Sequence, residues 1–220
     1  MKKFFVFISM FCLSFGLFAF DWSDWINNLN LGLGIPVFKV GVSDSAGSSE
    51  MKGFGLGLDF KAQSIHEPSG FLLQAGLELG GLRVDDFVDG DPQWGFDFNA
   101  ELGLGYAFVR NERAIASIAG VFGYDFSVLK KRYSYVYNYD IYNVELKALT
   151  MMFFAGFDFS GTLRISDSVG MYASCLIGLP LFGFGTESAK LGSRSATESL
   201  SVDFGGYYIK PSFGISFTLD

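Results

Sequence analysis

Residues Trp94–Val109 read WGFDFNAELGLGYAFV. The even positions are Trp94, Phe96, Phe98, Ala100, Leu102, Leu104, Tyr106 and Phe108. The odd positions are Gly95, Asp97, Asn99, Glu101, Gly103, Gly105, Ala107 and Val109. One set is apolar and aromatic; the other is charged, polar or small until its end. A period of two is that of a β-strand, whose successive side chains point to opposite faces. The run is far longer than the usual strand of about five or six residues. A tilted strand crossing a bilayer accounts for both its length and its alternation. At about 3.3 Å per residue and about 40° tilt, Trp94 and Tyr106 stand roughly 30 Å apart along the membrane normal. That spacing suits two aromatic girdles.

The same pattern extends outward along the chain. Strands are expected at Leu29–Val42, Gly53–Ile65, Phe71–Val84, Ala114–Leu129, Ala148–Ile165, Val169–Gly185 and Leu200–Leu219. With Trp94–Val109 they make eight. The first carries Pro36, where a bulge is expected to shift Phe38, Val40 and Val42 onto the apolar face. The last changes phase at Gly205-Gly206. The connections Ser43–Lys52, Asp85–Gln93, Lys130–Lys147 and Thr186–Ser199 are long and polar. Those at His66–Gly70, Arg110–Arg113 and Ser166–Ser168 are short. An even strand number with alternating long and short connections is the rhythm of a bacterial outer-membrane barrel, whose long loops face outside. The expected fold is an all-β, eight-stranded antiparallel up-and-down transmembrane β-barrel. Trp94 then lies near the outer surface, and Tyr106 and Phe108 near the periplasmic rim.

The chain opens Met1-Lys2-Lys3 and runs uncharged from Phe4 to Phe20. A basic start and a short apolar run read as a cleaved secretory signal peptide over 1–19. A periplasmic lead-in over 20–28 and the barrel over 29–220 follow. Without Lys2 and Lys3, 14 basic residues face 23 acidic ones, a net charge of −9, which offers nucleic acid nothing to bind. Once Cys12 leaves with the signal, Cys175 has no partner for an intrachain disulfide. It sits on an apolar strand face, as a small hydrophobe would.

The inward face collects Asp59, Lys61, Glu78, Asp97, Glu101, Asp125, Asp158, Arg164 and Lys210, with Lys39 and Asp203 expected to join them. An eight-stranded barrel is just wide enough for side chains to fill it, so buried charges must pair or hold water. A lumenal ion-pair network is therefore expected, in an interior otherwise dominated by glycine. Acids outnumber bases, so a permeant ion would be a cation.

In architecture the chain resembles the small outer-membrane proteins of the OmpA membrane domain, OmpX and OmpW class. The resemblance covers nearly the whole mature chain and rests on no family-specific motif. It implies an outer-membrane location with loops at the cell surface, contact with outer-membrane lipid, and insertion by the barrel assembly machinery. Members of the class usually end in a terminal Phe. Here Phe213, Ile215, Phe217 and Leu219 keep the alternation, but Asp220 ends the chain. Some barrels of the class it resembles are enzymes, lipid acyltransferases and deacylases, which use histidine near the outer rim. The one histidine here, His66, lies in a short turn. No catalytic residue, metal ligand set or cofactor is expected.

Lys130, Lys131 and Arg132, then Tyr133, Tyr135, Tyr137, Tyr139 and Tyr142, occupy the longest connection. Tyrosine supplies rigid, amphipathic contact area at small entropic cost. This connection is the expected binding loop for an extracellular or host ligand. The expected function is that of a monomeric surface-interaction, adhesin-like barrel. The alternative is a narrow OmpW-like channel for ions or small molecules, which would call for an apolar interior trough.

Overall fold

The structure is a computed structural model. It describes residues 24–43, 45, 47–88, 91–137, 140–192 and 194–219, and only the backbone of 86–88, 91, 133, 135–137 and 140–142. The expected signal peptide, residues 20–23 of the lead-in and Asp220 lie outside the described residues.

All regular elements among the described residues are strands: β1 (Trp25–Gly34), β2 (Val37–Ser43), β3 (Ser48–His66), β4 (Phe71–Val88), β5 (Asp91–Arg110), β6 (Ala114–Tyr137), β7 (Asp140–Arg164), β8 (Val169–Leu191), β9 (Arg194–Val202) and β10 (Tyr207–Leu219). From β3 to β9 each strand pairs antiparallel with the next. β3 also pairs with both β1 and β2, and β8 with both β9 and β10. β1 and β10 close the ring, from Asn27↔Leu219 to Gly34↔Ser212. Closure leaves no open edge within a membrane-spanning wall, so every backbone group there can pair.

The ten strands differ from the expected eight because the first and last are each in two pieces. Pro36, with no N–H to donate, interrupts the first. Its carbonyl still accepts from Gly55 N (2.7 Å), and Ile35 N donates to the Pro211 carbonyl (2.9 Å). The register runs straight through: Gly34↔Gly57 is followed by Val37↔Phe54 on one side, and Gly34↔Ser212 by Val37↔Ile209 on the other. The expected bulge is therefore absent, and the faces do not switch. Phe38 and Val40 point into the lumen and are almost fully buried, whereas Lys39 turns outward to Glu50 (2.7 Å). The break between β9 and β10 spans residues 203–206, with positive φ at Gly205 and Gly206. Asp203, expected in the lumen, is exposed there and takes the Ser43 hydroxyl (2.5 Å).

Most of the expected long connections are strand. β6 and β7 stay paired out to Tyr137↔Asp140, and β8 and β9 out to Leu191↔Arg194. These segments are polar, but they lack proline and keep β-formers such as Tyr and Val, so polarity alone does not stop the ladder. The lead-in is shortened as well: β1 starts at Trp25, and Ser64 Oγ donates to Asn27 Oδ1 (2.8 Å).

Large apolar side chains cover the outside of the wall, among them Phe60, Leu104, Phe122, Phe157, Ile177 and Phe213. Polar residues fill the middle of the lumen. Toward the long-hairpin end lies an apolar cap of Phe38, Val40, Leu82, Leu129, Met152, Phe154, Val202 and Tyr208, all buried. Toward the short turns, Ile65, Leu72, Ala107 and Ile115 are buried too. The interior is thus apolar at both ends, not only glycine and charge; Phe154 and Tyr208 stack with centroids 4.7 Å apart. Gly123 makes room for the Phe154 ring, which any Cβ there would strike.

The register across Pro36 has a direct test. Phe38→Ala leaves a lumenal cavity and costs about 3–5 kcal/mol. Val37→Ala, on the outer face, costs less than about 1.5 kcal/mol. Urea unfolding of the protein in lipid vesicles, followed by tryptophan fluorescence, measures both.

Candidate functional site: the lumenal charge layer and the projecting hairpins

Alternation along β3, β4, β5, β7 and β10 brings Lys61, Asp59, Glu78, Glu101, Asp158 and Lys210 to one level of the lumen. Lys61 Nζ lies 2.7 Å from Asp158 Oδ2 and 3.4 Å from Glu101 Oε1. Lys210 Nζ lies 3.1 Å from Glu101 Oε2, 3.2 Å from Asp59 Oδ1 and 3.6 Å from Glu78 Oε2. Glu101 bridges the two ammonium groups with one oxygen each. Both lysines are 0% exposed. A buried charge persists only when paired and hydrogen-bonded.

A polar shell completes the layer. Lys61 donates also to Ser174 Oγ (3.1 Å), and Tyr172 OH donates to the same oxygen (2.6 Å). Gln74 Nε2 donates to Asp158 Oδ2 (2.8 Å), and Gln63 Nε2 to Gln74 Oε1 (3.2 Å) and Ser160 Oγ (2.9 Å). Gln63 and Gln74 share the inward parity of Lys61 and Glu78, but nothing in the sequence ties them to Asp158, 84 positions beyond Gln74. Asp97 and Asp125 meet one step toward the apolar cap and line a small void with Phe38, Met152 and Tyr208. That void has about 20 Å³ of water-accessible volume, room for roughly one water.

The expected network residue Arg164 sits elsewhere. It is half-buried at the short-turn rim, beside a surface groove shared with Glu67, Arg110 and Arg113. His66 Nδ1 is 2.7 Å from Ser69 Oγ, and that oxygen also accepts from Phe71 N (3.2 Å). This pair closes the β3–β4 turn. Trp94, Tyr106 and Phe108 stand on the outer face, each about half exposed. Trp94 packs edge-on against Phe54 (6.0 Å), and Tyr106 faces the Arg110 guanidinium (5.7 Å).

In the projecting β6–β7 hairpin, Lys130 and Arg132 are held by one carboxylate. Lys130 Nζ is 2.6 Å from Glu145 Oε1, and Arg132 Nε is 2.8 Å from Oε2. The Lys130 bond, then that of Arg132, holds the Glu145 carboxyl below its ordinary range. Lys131 is half-buried on the opposite face. The backbone pairs Tyr133 with Val144, Tyr135 with Tyr142 and Tyr137 with Asp140. The side chains of these four tyrosines, and all of Tyr139, lie outside the described residues. The connection expected to bind a ligand is a paired hairpin that extends the two strands.

A closed antiparallel barrel, apolar outside and charged within, has the fold of a small outer-membrane β-barrel. The chain is similar to the outer membrane protein OprG from Pseudomonas aeruginosa (TM-score 0.55, 9% identity, 88% of this chain and 95% of that one). It also matches the outer membrane protease OmpT from Escherichia coli (TM-score 0.41, 10% identity, 88% and 97%). Neisserial surface protein A matches at TM-score 0.41 and 9% identity, over 87% and 97%. No family model and no curated protein sequence matches the chain. At these identities the likeness speaks for the fold alone.

Lys210→Met leaves Asp59 and Glu101 short of a buried countercharge and lowers stability by about 3–5 kcal/mol. Adding Glu101→Gln returns part of the loss, because the two positions share one network. Urea unfolding of the single and double variants in vesicles reads the difference.

Proposed function

We infer that this chain is an exported, monomeric outer-membrane barrel of eight staves, two of them broken, that works through its outer surface. The signal peptide over 1–19 directs export, and the barrel assembly machinery inserts the chain with its long hairpins at the cell surface. The observation that carries this reading is the sealed lumen. Lys61 and Lys210 are wholly buried among their carboxylates, and Phe154 stacks on Tyr208 within the apolar cap above them. A water-filled path would leave at least one of these groups wet. With the lumen filled, contact with an extracellular or host ligand falls to the projecting β6–β9 sheet. The protein is read as a surface-interaction barrel and not as an enzyme: its lone histidine is occupied in a short turn.

One observation favours the second reading, a narrow channel. The apolar cap lies below a surface groove of about 100 Å³ among Met51, Val84, Ala148, Glu187 and Leu200, which shares Met51 and Thr150 with the void beneath. The broken ladder at 203–206 flanks it. Planar-bilayer recording of the refolded protein separates the two. The surface reading expects silent membranes and loss of binding to cells or matrix when residues 130–147 are shortened to a tight turn. Stable conductance steps, with binding unchanged by that deletion, would establish the channel instead.

A further inference from the structure

The outer face at the long-hairpin end repeats one arrangement in two places. On β6–β7 the apolar pair Val128↔Leu149 is followed, two residues further out, by Lys130↔Lys147. On β2–β3 the apolar pair Val37↔Phe54 is followed by Lys39↔Lys52. Like charges directly opposite each other on adjacent strands repel and destabilise the pair. The two lysine pairs differ in the carboxylates around them. Glu50 reaches Lys39 (2.7 Å) and Lys52 (3.4 Å), and Glu145 reaches Lys130 and Arg132. Lys190, paired in register with Glu145, adds another cation to the second site. On β2–β4 Asp85 also stands opposite Lys52 and bonds Arg83 (3.4 Å), and Asp203 lies beside Gly41, so Lys39, Lys52 and Arg83 face three carboxylates there. On β6–β8 Lys130, Arg132, Lys147 and Lys190 share the outer face with Glu145. One carboxylate cannot neutralise four cations held around it, so the β6–β8 site presents surplus positive charge.

Position supplies the second argument. A two-residue step along a strand is about 6–7 Å. The lysine pairs thus stand one step beyond the last apolar pair of the lipid-facing band, at the depth where a leaflet's phosphates begin. We propose that Lys130 and Lys147, with Arg132 and Lys190, form a seat for the phosphate headgroups of anionic lipid in the adjoining leaflet. The acyl chains would lie on Val128 and Leu149, and the phosphate would bridge opposed lysines that otherwise repel. This deepens the outer-membrane reading and rests on the barrel crossing a bilayer.

The test uses the full mature barrel in nanodiscs of phosphatidylcholine with a minority of phosphatidylglycerol, extracted into detergent. Native mass spectrometry then counts the lipid that stays bound. Wild type retains phosphatidylglycerol over phosphatidylcholine. Lys130→Gln/Arg132→Gln/Lys147→Gln/Lys190→Gln loses that preference; each charge removed weakens retention about fivefold. Glu145→Gln, which frees the cations, strengthens it. Arg110→Gln/Arg113→Gln, at the opposite rim, leaves it unchanged. Equal retention in the four-cation variant, or equal loss in the opposite-rim variant, would overturn the proposal. Displacement of the lipid by millimolar inorganic phosphate would also overturn it, by revealing a free-anion site. Heat-modifiable migration checks that each variant is folded. Quenching of Trp94 by brominated acyl chains reports bilayer insertion separately, so failure of the membrane reading is distinct from failure of the lipid seat.

Discussion

Two ammonium groups and the carboxylates around them, locked inside a narrow ring of strands, set the terms for the rest of the molecule. Lys61 and Lys210 are joined through Glu101, and each has a further carboxylate of its own in Asp158 or Asp59. These partners come from β3, β5, β7 and β10, so the network ties the wall together across the lumen as well as around it. Removing one member would leave a desolvated charge, which costs far more than an exposed ion pair contributes. The outside of the wall must be apolar to face lipid; the charge and the narrow bore then follow from each other. Glycines on the inner face admit the larger partners: a Cβ at Gly57 would meet Glu78, and one at Gly76 would meet Glu101.

A filled lumen moves the available chemistry to the ends and rims. At the short-turn end the chain is trimmed close to the wall, with connections of three or four residues and the His66–Ser69 pair. At the other end the strands run on past the apolar band. Hairpin pairing there continues through charged residues, Arg132 opposite Glu145 and Glu187 opposite Glu198. The barrel is therefore asymmetric along its axis. Its acidic surplus is held largely inside, whereas the outer rim on β6–β8 is basic. A net charge summed over the chain hides that separation.

Much of this was legible in the sequence. Alternation placed Asp59, Lys61, Glu78, Asp97, Glu101, Asp125, Asp158 and Lys210 on the inner face, because a period of two is a local property that survives tertiary context. The identity of partners was not legible: Lys61 and Asp158 are 97 positions apart, and only closure of the ring brings them together. Pro36 misled for a different reason. Proline removes one ladder donor, and that loss was equated with a register shift; the neighbouring strands kept their register and so kept Phe38 and Val40 inside. The same error hid part of the apolar cap, since Phe38 and Val40 are central to it. Polar hairpins were read as loops because polarity was taken for the end of pairing. Arg164 shares the inward parity of Asp158 but lies too close to the rim to join the network. Parity gives a residue's face, not its depth.

The account depends on the charge layer being dry. Proton exchange at the lysine ammonium groups measures that directly, by nitrogen-15 NMR of selectively lysine-labelled protein in bilayer nanodiscs. Two ammonium signals, assigned to Lys61 and Lys210 by substitution, should persist with slow solvent exchange while those of exposed lysines such as Lys130 vanish. If Lys61 and Lys210 exchange as fast as Lys130, water reaches the layer, and the sealed-barrel account is wrong.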